Sequence, residues 1–305
     1  MTNAPCVRNE YERTLKSHWD AKTSDDINLR LGAEDDLYHH HYAIGDFDRG
    51  VLDAPRQRRE ELILRELHRM ENDQVDLVIR ALGELPRGAR VLDAGSGRGG
   101  TAFMIAQRLS TQVVGINFCE HHIAFAEQIA RRRGWDDRVR FRYGNMVRTG
   151  FPDASFDAVV SNETTMYAGA DELLREFARL LRPGGRYVMA TWCRNDTVDP
   201  RSAASRHIDQ HYVCQMHRRS TYFRALSDNG LAPVHVERYT GKAMPYWELR
   251  SHSQLRTGVE EAFLDGYRNE TLNYLVVAAE RAAADGSDTD AGARRPFRVE
   301  EQRTW

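Results

Sequence analysis

The chain has 305 residues, 41% hydrophobic and 29% charged, enough for one large domain or a domain with an added cap to bury its own core. A formal net charge of −2 leaves no excess of positive charge for a nucleic-acid surface. No run reaches the ~18 apolar residues of a membrane span, and the charged start MTNAPCVRNEYERTLKSHWD lacks the apolar stretch of a secretion signal, so a cytoplasmic protein is expected.

Residues 1–26 are polar, with weak helical spacing of Tyr11, Leu15 and Trp19. Residues 27–50 (INLRLGAEDDLYHHHYAIGDFDRG) read as an irregular segment crowded with aromatic and imidazole groups. Across 57–83, Leu62, Ile63, Leu67, Met70, Val75, Leu77, Val78 and Leu82 recur at spacings of three and four, which predicts one or two amphipathic helices. From residue 90 the period changes. RVLDAG, QVVGIN, RVRFRYGN, FDAVVSNE and GRYVMATW read as short strands, separated by the helical stretches TAFMIAQRLS, HHIAFAEQIARRRG and DELLREFARLLRPGG. That alternation predicts a mostly parallel, doubly wound α/β sheet with right-handed crossovers. PVHVERYT and LNYLVVAAER follow as strands with an insertion at 240–271 between them, so an antiparallel terminal strand is expected. The domain reading is an N-terminal helical cap and substrate-recognition segment at 1–60, a core at 61–281 with lid insertions near 194–225 and 240–271, and a disordered tail at 282–305.

The strongest motif is VLDAGSGRGG, Val91 to Gly100, which ends a strand and opens a helix. Gly95, Gly97 and Gly99 let the backbone turn tightly and approach a ligand. A dinucleotide fingerprint uses the same features, as does a plain strand–turn–helix. Asp93, two residues before the first glycine, argues against the dinucleotide: a carboxylate there repels a pyrophosphate and accepts a hydrogen bond from an amine. Cys6, Cys119, Cys193 and Cys214 form no C-x-x-C pair, so they read as free thiols and no protein metal ligands are assigned.

The glycine motif resembles motif I of the class I S-adenosylmethionine (SAM)-dependent methyltransferases. GINFCEHH, YGNMVRTGFPDASFDAVVSNE and LLRPGGRYVMA follow in that superfamily's order, covering about 65–195. The resemblance implies a Rossmann-like fold with SAM held by Asp93, Gly95, Gly97, Asn117, Asn145 and Met146. Asn117 stands where the superfamily usually places an acidic ribose ligand, so it would bind the hydroxyls by neutral hydrogen bonds. The flanks INLRLG, DDLYHHHYAIG, NETTMYAG and MPYWELRSHSQLRTGVEEAFLDGYRNETLNYLVVAAER lie outside the generic core. They look like the geranyl diphosphate C-methyltransferase family, nearly from 14 to 281.

That likeness implies methylation of an alkene carbon of a prenyl diphosphate, geranyl or farnesyl, through a carbocation and loss of a proton. The chemistry requires an aromatic face, one carboxylate base and polar groups for the diphosphate. By resemblance the base is Glu163 and the cation-side aromatic is Tyr212, where geranyl enzymes carry phenylalanine. Asn28, Arg30, His41 and Tyr42 match diphosphate positions, and Tyr246 and Trp247 would wall the prenyl pocket. A capping role for Glu163 and plain packing for the three other aromatics are the competing readings. His39, His40 and His41 are adjacent and cannot converge on one ion without unusual backbone, so magnesium, if present, is expected through the diphosphate and water. Ala204 stands where geranyl enzymes carry tryptophan, eight residues before Tyr212, and the lost indole points to a longer acceptor such as farnesyl diphosphate. Isopentenyl diphosphate or another terpenoid is the alternative acceptor. A catalytically inactive SAM-fold scaffold and a nicotinamide oxidoreductase are the competing classes, and a homo-oligomer is left open.

Overall fold

The computed structural model describes residues 6–23, 26–197, 201–283 and 298–300. The N-terminal segment holds α1 (Glu10–Asp20), α2 (Asp26–Leu31) and α3 (Gly50–Asp53), followed by the long α4 (Arg56–Leu82). The spacing over 57–83 therefore resolves as one helix of 27 residues, begun after Pro55 and stopped at Gly83 with φ 67°. The core alternates as predicted through β1 (Arg90–Ala94), α5 (Gly100–Leu109), β2 (Gln112–Asn117), α6 (Glu120–Arg132), β3 (Val139–Tyr143), β4 (Phe156–Asn162), α7 (Ala170–Leu180) and β5 (Leu181–Arg194). The rest comprises α8 (Ala203–Tyr212), α9 (Arg219–Asp228), β6 (Leu231–Arg238), α10 (Thr240–Ser251), α11 (Glu260–Arg268), β7 (Leu272–Arg281) and β8 (Arg298–Glu300). Both stretches read as insertions contain helices: α8 and part of α9 in the first, α10 and α11 in the second.

Among the described residues, eight strands form one sheet in the order β3-β2-β1-β4-β5-β7-β6-β8. β3, β2, β1, β4 and β5 are parallel neighbours, and β7 runs antiparallel to both β5 and β6. β8 pairs in parallel with β6, so part of the tail expected to be disordered forms an edge strand. The remainder of that tail, 284–297 and 301–305, lies outside the described residues.

Alternation along β1 sends Val91 into one apolar layer and Leu92 into the other. The first layer draws on α4, α5, α6, α10 and α11, and the second on α7 and α9. The chain thus covers both faces of the sheet, as a doubly wound fold requires. Strand order reverses between β1 and β4, and the carboxyl ends of these strands are where such sheets bind ligands.

Candidate active site

A cavity of about 970 Å³, solvent mouth included, opens at that reversal. Its floor is the glycine loop, with Asp93, Gly95, Ser96 and Gly97 from the β1–α5 turn and Asn117 from the end of β2. Gly95 has φ 84°, and a Cβ there would collide with the side chain of Thr164. Gly100 packs so closely against the incoming N-terminal segment that its N–H donates to the Tyr38 carbonyl at 3.1 Å. Asp93 is 1% exposed; burial pushes its carboxyl up to about 7 against the pull of the Ala102 backbone N–H. Oδ2 of Asp93 and the Ser96 hydroxyl are buried in the cavity wall without protein partners. Buried polar atoms of this kind are expected to meet a ligand. Asn117 uses its carbonyl locally, accepting from the Cys119 N–H at 3.1 Å. Asn145 and Met146 line the far side, with Asn145 donating to the Cys6 carbonyl at 3.0 Å. All six residues expected around SAM are therefore in one cavity wall.

Glu163 lines the same cavity, one residue beyond β4, with φ 54°. A glutamate in the left-handed region is strained backbone of the kind that collects at functional sites. Its Oε2 accepts from the Tyr42 N–H at 2.9 Å and its Oε1 from the Tyr274 hydroxyl at 2.5 Å. Burial pushes its carboxyl up to about 8; both donors oppose that rise, and the charge of Glu71 adds to it. Gln74, on α4, completes the support: it donates to Tyr274 Oη at 3.0 Å and exchanges amide hydrogen bonds with Asn162 at 2.8 and 3.0 Å. Sequence reading missed Gln74 and Tyr274 and gave Asn162, beside Glu163, no role, although all three lie in segments read as helix or strand.

The side chains of the YHHHY segment alternate in what they touch. His39 and His41 lie on one side, ring centroids 4.6 Å apart, and His39 bonds Asn72 of α4. His40 points the other way, against Arg98 and His122. The three imidazoles do not converge on a point. Burial holds His39, His41 and His122 neutral, at about 3, 4 and 2. His39 Nδ1, His41 Nε2 and His122 Nε2 are buried and unpartnered in the cavity wall. A cluster that spacing rules did not show is Cys119, His121 and His122, whose ligand atoms lie within 4.8 Å of one another. Burial pushes the Cys119 thiol up to about 11.

Several expected positions fall elsewhere. Tyr212 does not line the cavity; it is 4% exposed and sits behind Tyr42, hydroxyl to hydroxyl, with its ring 6.1 Å from Trp192 and 6.4 Å from Phe263. The Phe, Tyr and Trp residues that do line the cavity are Trp19, Tyr38, Phe118 and Tyr167, with Trp19 and Tyr167 edge to face at 5.9 Å. Asn28 is buried but Arg30 is exposed, and neither lines the cavity. They are two positions apart on α2, and a helix holds such neighbours on different faces. Tyr246 and Trp247 are fully packed, with Tyr246 donating to Glu71 at 2.7 Å. Ala204 is half-buried on the first turn of α8 and outside the cavity. The room expected from the missing indole is not part of the cavity, and aromatic rings surround Tyr212 instead.

Known proteins agree with this architecture over most of its length. Residues 85–237 match the methyltransferase domain family. A geranyl diphosphate 2-C-methyltransferase of Saccharopolyspora erythraea is 41% identical over 271 residues, 89% of this chain and 95% of that protein. The chain belongs to the geranyl diphosphate C-methyltransferase family. A Streptomyces coelicolor relative is 37% identical over 278 residues, 91% of this chain and 95% of that protein. The solved structure of the S. coelicolor geranyl diphosphate C-methyltransferase with Mg2+, geranyl-S-thiolodiphosphate and S-adenosyl-L-homocysteine superposes with a TM-score of 0.88. It is 37% identical, covering 91% of this chain and all of that one. The family membership and the class I SAM methyltransferase fold expected from the motifs are thereby established. Among the described residues, no helix is long and apolar enough to cross a membrane.

Proposed function

We propose that this protein transfers a methyl group from SAM to an alkene carbon of a prenyl diphosphate. The observation that carries the reading is the pairing, in one cavity, of an unpartnered Asp93 Oδ2 with a buried Glu163 whose proton affinity is raised. The first fits the ammonium of a methionine moiety and the second a base that takes a proton from carbon. The relatives support it, since the named activity of those proteins is geranyl diphosphate 2-C-methylation.

When bound, SAM supplies an electrophilic methyl group on a sulfonium centre. Asp93 and Ser96 are positioned to hold its amino-acid end, and Asn117, Asn145 and Met146 its adenosine end. The acceptor alkene gives its π electrons to the new C–C bond and becomes a tertiary cation. The Tyr167 and Trp19 rings offer negative faces beside the cavity for that charge. An adjacent carbon then loses its proton to a Glu163 oxygen, and the C–H electrons rebuild the double bond. α1, through Glu12, Leu15 and Trp19, closes one side of the cavity and limits water, which would otherwise trap the cation.

Asn28, His41 and Tyr42 are the buried members of the proposed diphosphate set, and His41 is the one that lines the cavity. Of the carboxylates lining the cavity, Asp93 and Glu163 have the roles above and Glu12 pairs with Arg8. Magnesium is therefore assigned to the diphosphate and water. The exposure of Arg30 favours a second reading, in which the acceptor is a terpenoid without a diphosphate. Incubation with SAM and isopentenyl, geranyl or farnesyl diphosphate, set against the corresponding alcohols, separates the two. Gain of one methyl group by a diphosphate, and none by its alcohol, is expected in mass spectra after dephosphorylation. Equal turnover of the alcohols would remove the diphosphate from the assignment.

A further inference from the structure

Beyond Glu163 the apolar interior is filled. Tyr42, whose N–H bonds Glu163, has its ring 4.4 Å from Trp247, 5.6 Å from Trp192 and 5.8 Å from Phe263. Trp247 and Phe263 stack at 3.9 Å with planes 7° apart, and both are at most 1% exposed. The Arg250 guanidinium, itself 2% exposed, lies 5.5 Å from the Tyr42 ring and 5.9 Å from Trp247, and it is tied to Glu260 at 3.2 Å. A charged, hydrogen-bonded backing of this kind resists displacement of the stack.

Apart from the glycine loop, the apolar and aromatic residues lining the cavity include Leu15, Trp19, Tyr38, Phe118, Tyr167 and Ala168. The glycine-loop side of the same space is the part that fits SAM. Next to Glu163 stands Tyr42, whose N–H bonds the carboxylate, whose hydroxyl meets that of Tyr212 and whose ring is backed by Trp247. An acceptor chain that runs past Tyr42 meets the Trp247–Phe263 stack, and a well-packed interior does not admit several extra methylenes without moving rings off their rotamers.

We propose that the acceptor is a five-carbon prenyl diphosphate, and that the Trp247–Phe263 stack behind Tyr42 sets this limit. The proposal rests on the prenyl diphosphate reading above and reverses the longer acceptor that Ala204 alone indicated. Trp247 and Phe263 act on specificity through Tyr42 and the closed volume, with no contact to the reacting atoms required.

The test is competition in the full-length protein with SAM and equal concentrations of isopentenyl, dimethylallyl, geranyl and farnesyl diphosphates. A five-carbon acceptor is expected to be methylated with kcat/KM about tenfold or more above geranyl diphosphate, because each misfit methylene in a shaped pocket discriminates on this scale. Phe263→Ala and, separately, Trp247→Leu should raise the geranyl-to-C5 ratio by about tenfold, with folding checked by melting temperature. Geranyl or farnesyl diphosphate matching or beating the C5 acceptors in the wild type overturns the proposal, whatever the variants do. An unchanged ratio in a folded variant of both positions overturns the role of the stack. Absence of methyl transfer to every prenyl diphosphate, with SAM binding intact, instead removes the functional reading and this inference with it.

Discussion

The Tyr274 hydroxyl, on β7, donates to Oε1 of Glu163 across 2.5 Å, and Gln74 fixes that hydroxyl from α4. Three separate parts of the chain thus converge on one carboxylate that burial would otherwise keep protonated. Because this donor favours the charged form, losing it raises the proton affinity of Glu163. Tyr274→Phe is expected to lower kcat/KM at pH 7 by about tenfold and move the acid limb of the pH profile upward, with activity recovering as pH rises. A loss that is uniform across pH would mean that Tyr274 serves packing alone.

Glu163→Gln keeps the side-chain size and one acceptor oxygen, which can face the Tyr42 N–H while its amide donates to the Tyr274 hydroxyl, but it cannot take a proton. Turnover is expected to fall by roughly 10²–10⁴, with SAM affinity unchanged by calorimetry. Turnover within a few-fold of wild type would assign the base elsewhere.

The same substitution should alter stability in a pH-dependent way. The ordinary glutamate value is 4.5, and in the folded protein Glu163 is pushed up to about 8. Below pH 4.5 both states hold the proton and nothing is lost. As pH rises towards 8 the unfolded chain ionises first, so wild-type stability declines through that window. Each unit is worth about 1.4 kcal/mol, so the advantage of Glu163→Gln should reach a few kcal/mol near pH 8. Urea unfolding at acid and alkaline pH measures it; an equal stability difference at both would contradict the buried carboxyl.

Asp93→Asn should weaken SAM binding about 10- to 100-fold, since a charged acceptor for an ammonium is worth about 1.5–3 kcal/mol. In the wild type the carboxyl sits at about 7 without ligand, so a cation that binds the ionised form must displace its proton. Calorimetry at pH 6 in buffers of different ionisation enthalpy should show proton release that Asp93→Asn abolishes. Persistent release in the variant would point to another group.

Gly100→Ala places a Cβ 2.5 Å from His39 Nδ1 and 2.8 Å from the Tyr38 carbonyl oxygen. Overpacking of this order costs about 1–3 kcal/mol. Lower stability in denaturant and weaker binding of the acceptor are expected together, because the YHHHY segment must move away from the loop. An unperturbed melting temperature would show that the segment docks less tightly than the described contacts.

The sheet, the glycine loop and one wall of the cavity follow from the sequence, because strand period, helix period and loop glycines are local properties. Asp93, Asn117, Asn145, Met146 and Glu163 were legible for the same reason: each stands at a fixed step from the carboxyl end of a strand, and the fold carries those ends to one crevice. The acceptor side was decided only by tertiary structure. Whether Tyr212 or Tyr167 faces the cavity, whether Arg30 turns inward, and whether Ala204 leaves a hole all depend on how α1, α2, α8, α10 and α11 pack over the sheet. A missing indole predicts space only if its neighbours stay put, and here Tyr42, Trp192 and Phe263 surround Tyr212. The Glu163–Tyr274–Gln74 relay was equally hidden, since its members are 111 and 200 positions apart in pairs and meet only because β4, β7 and α4 share one layer boundary.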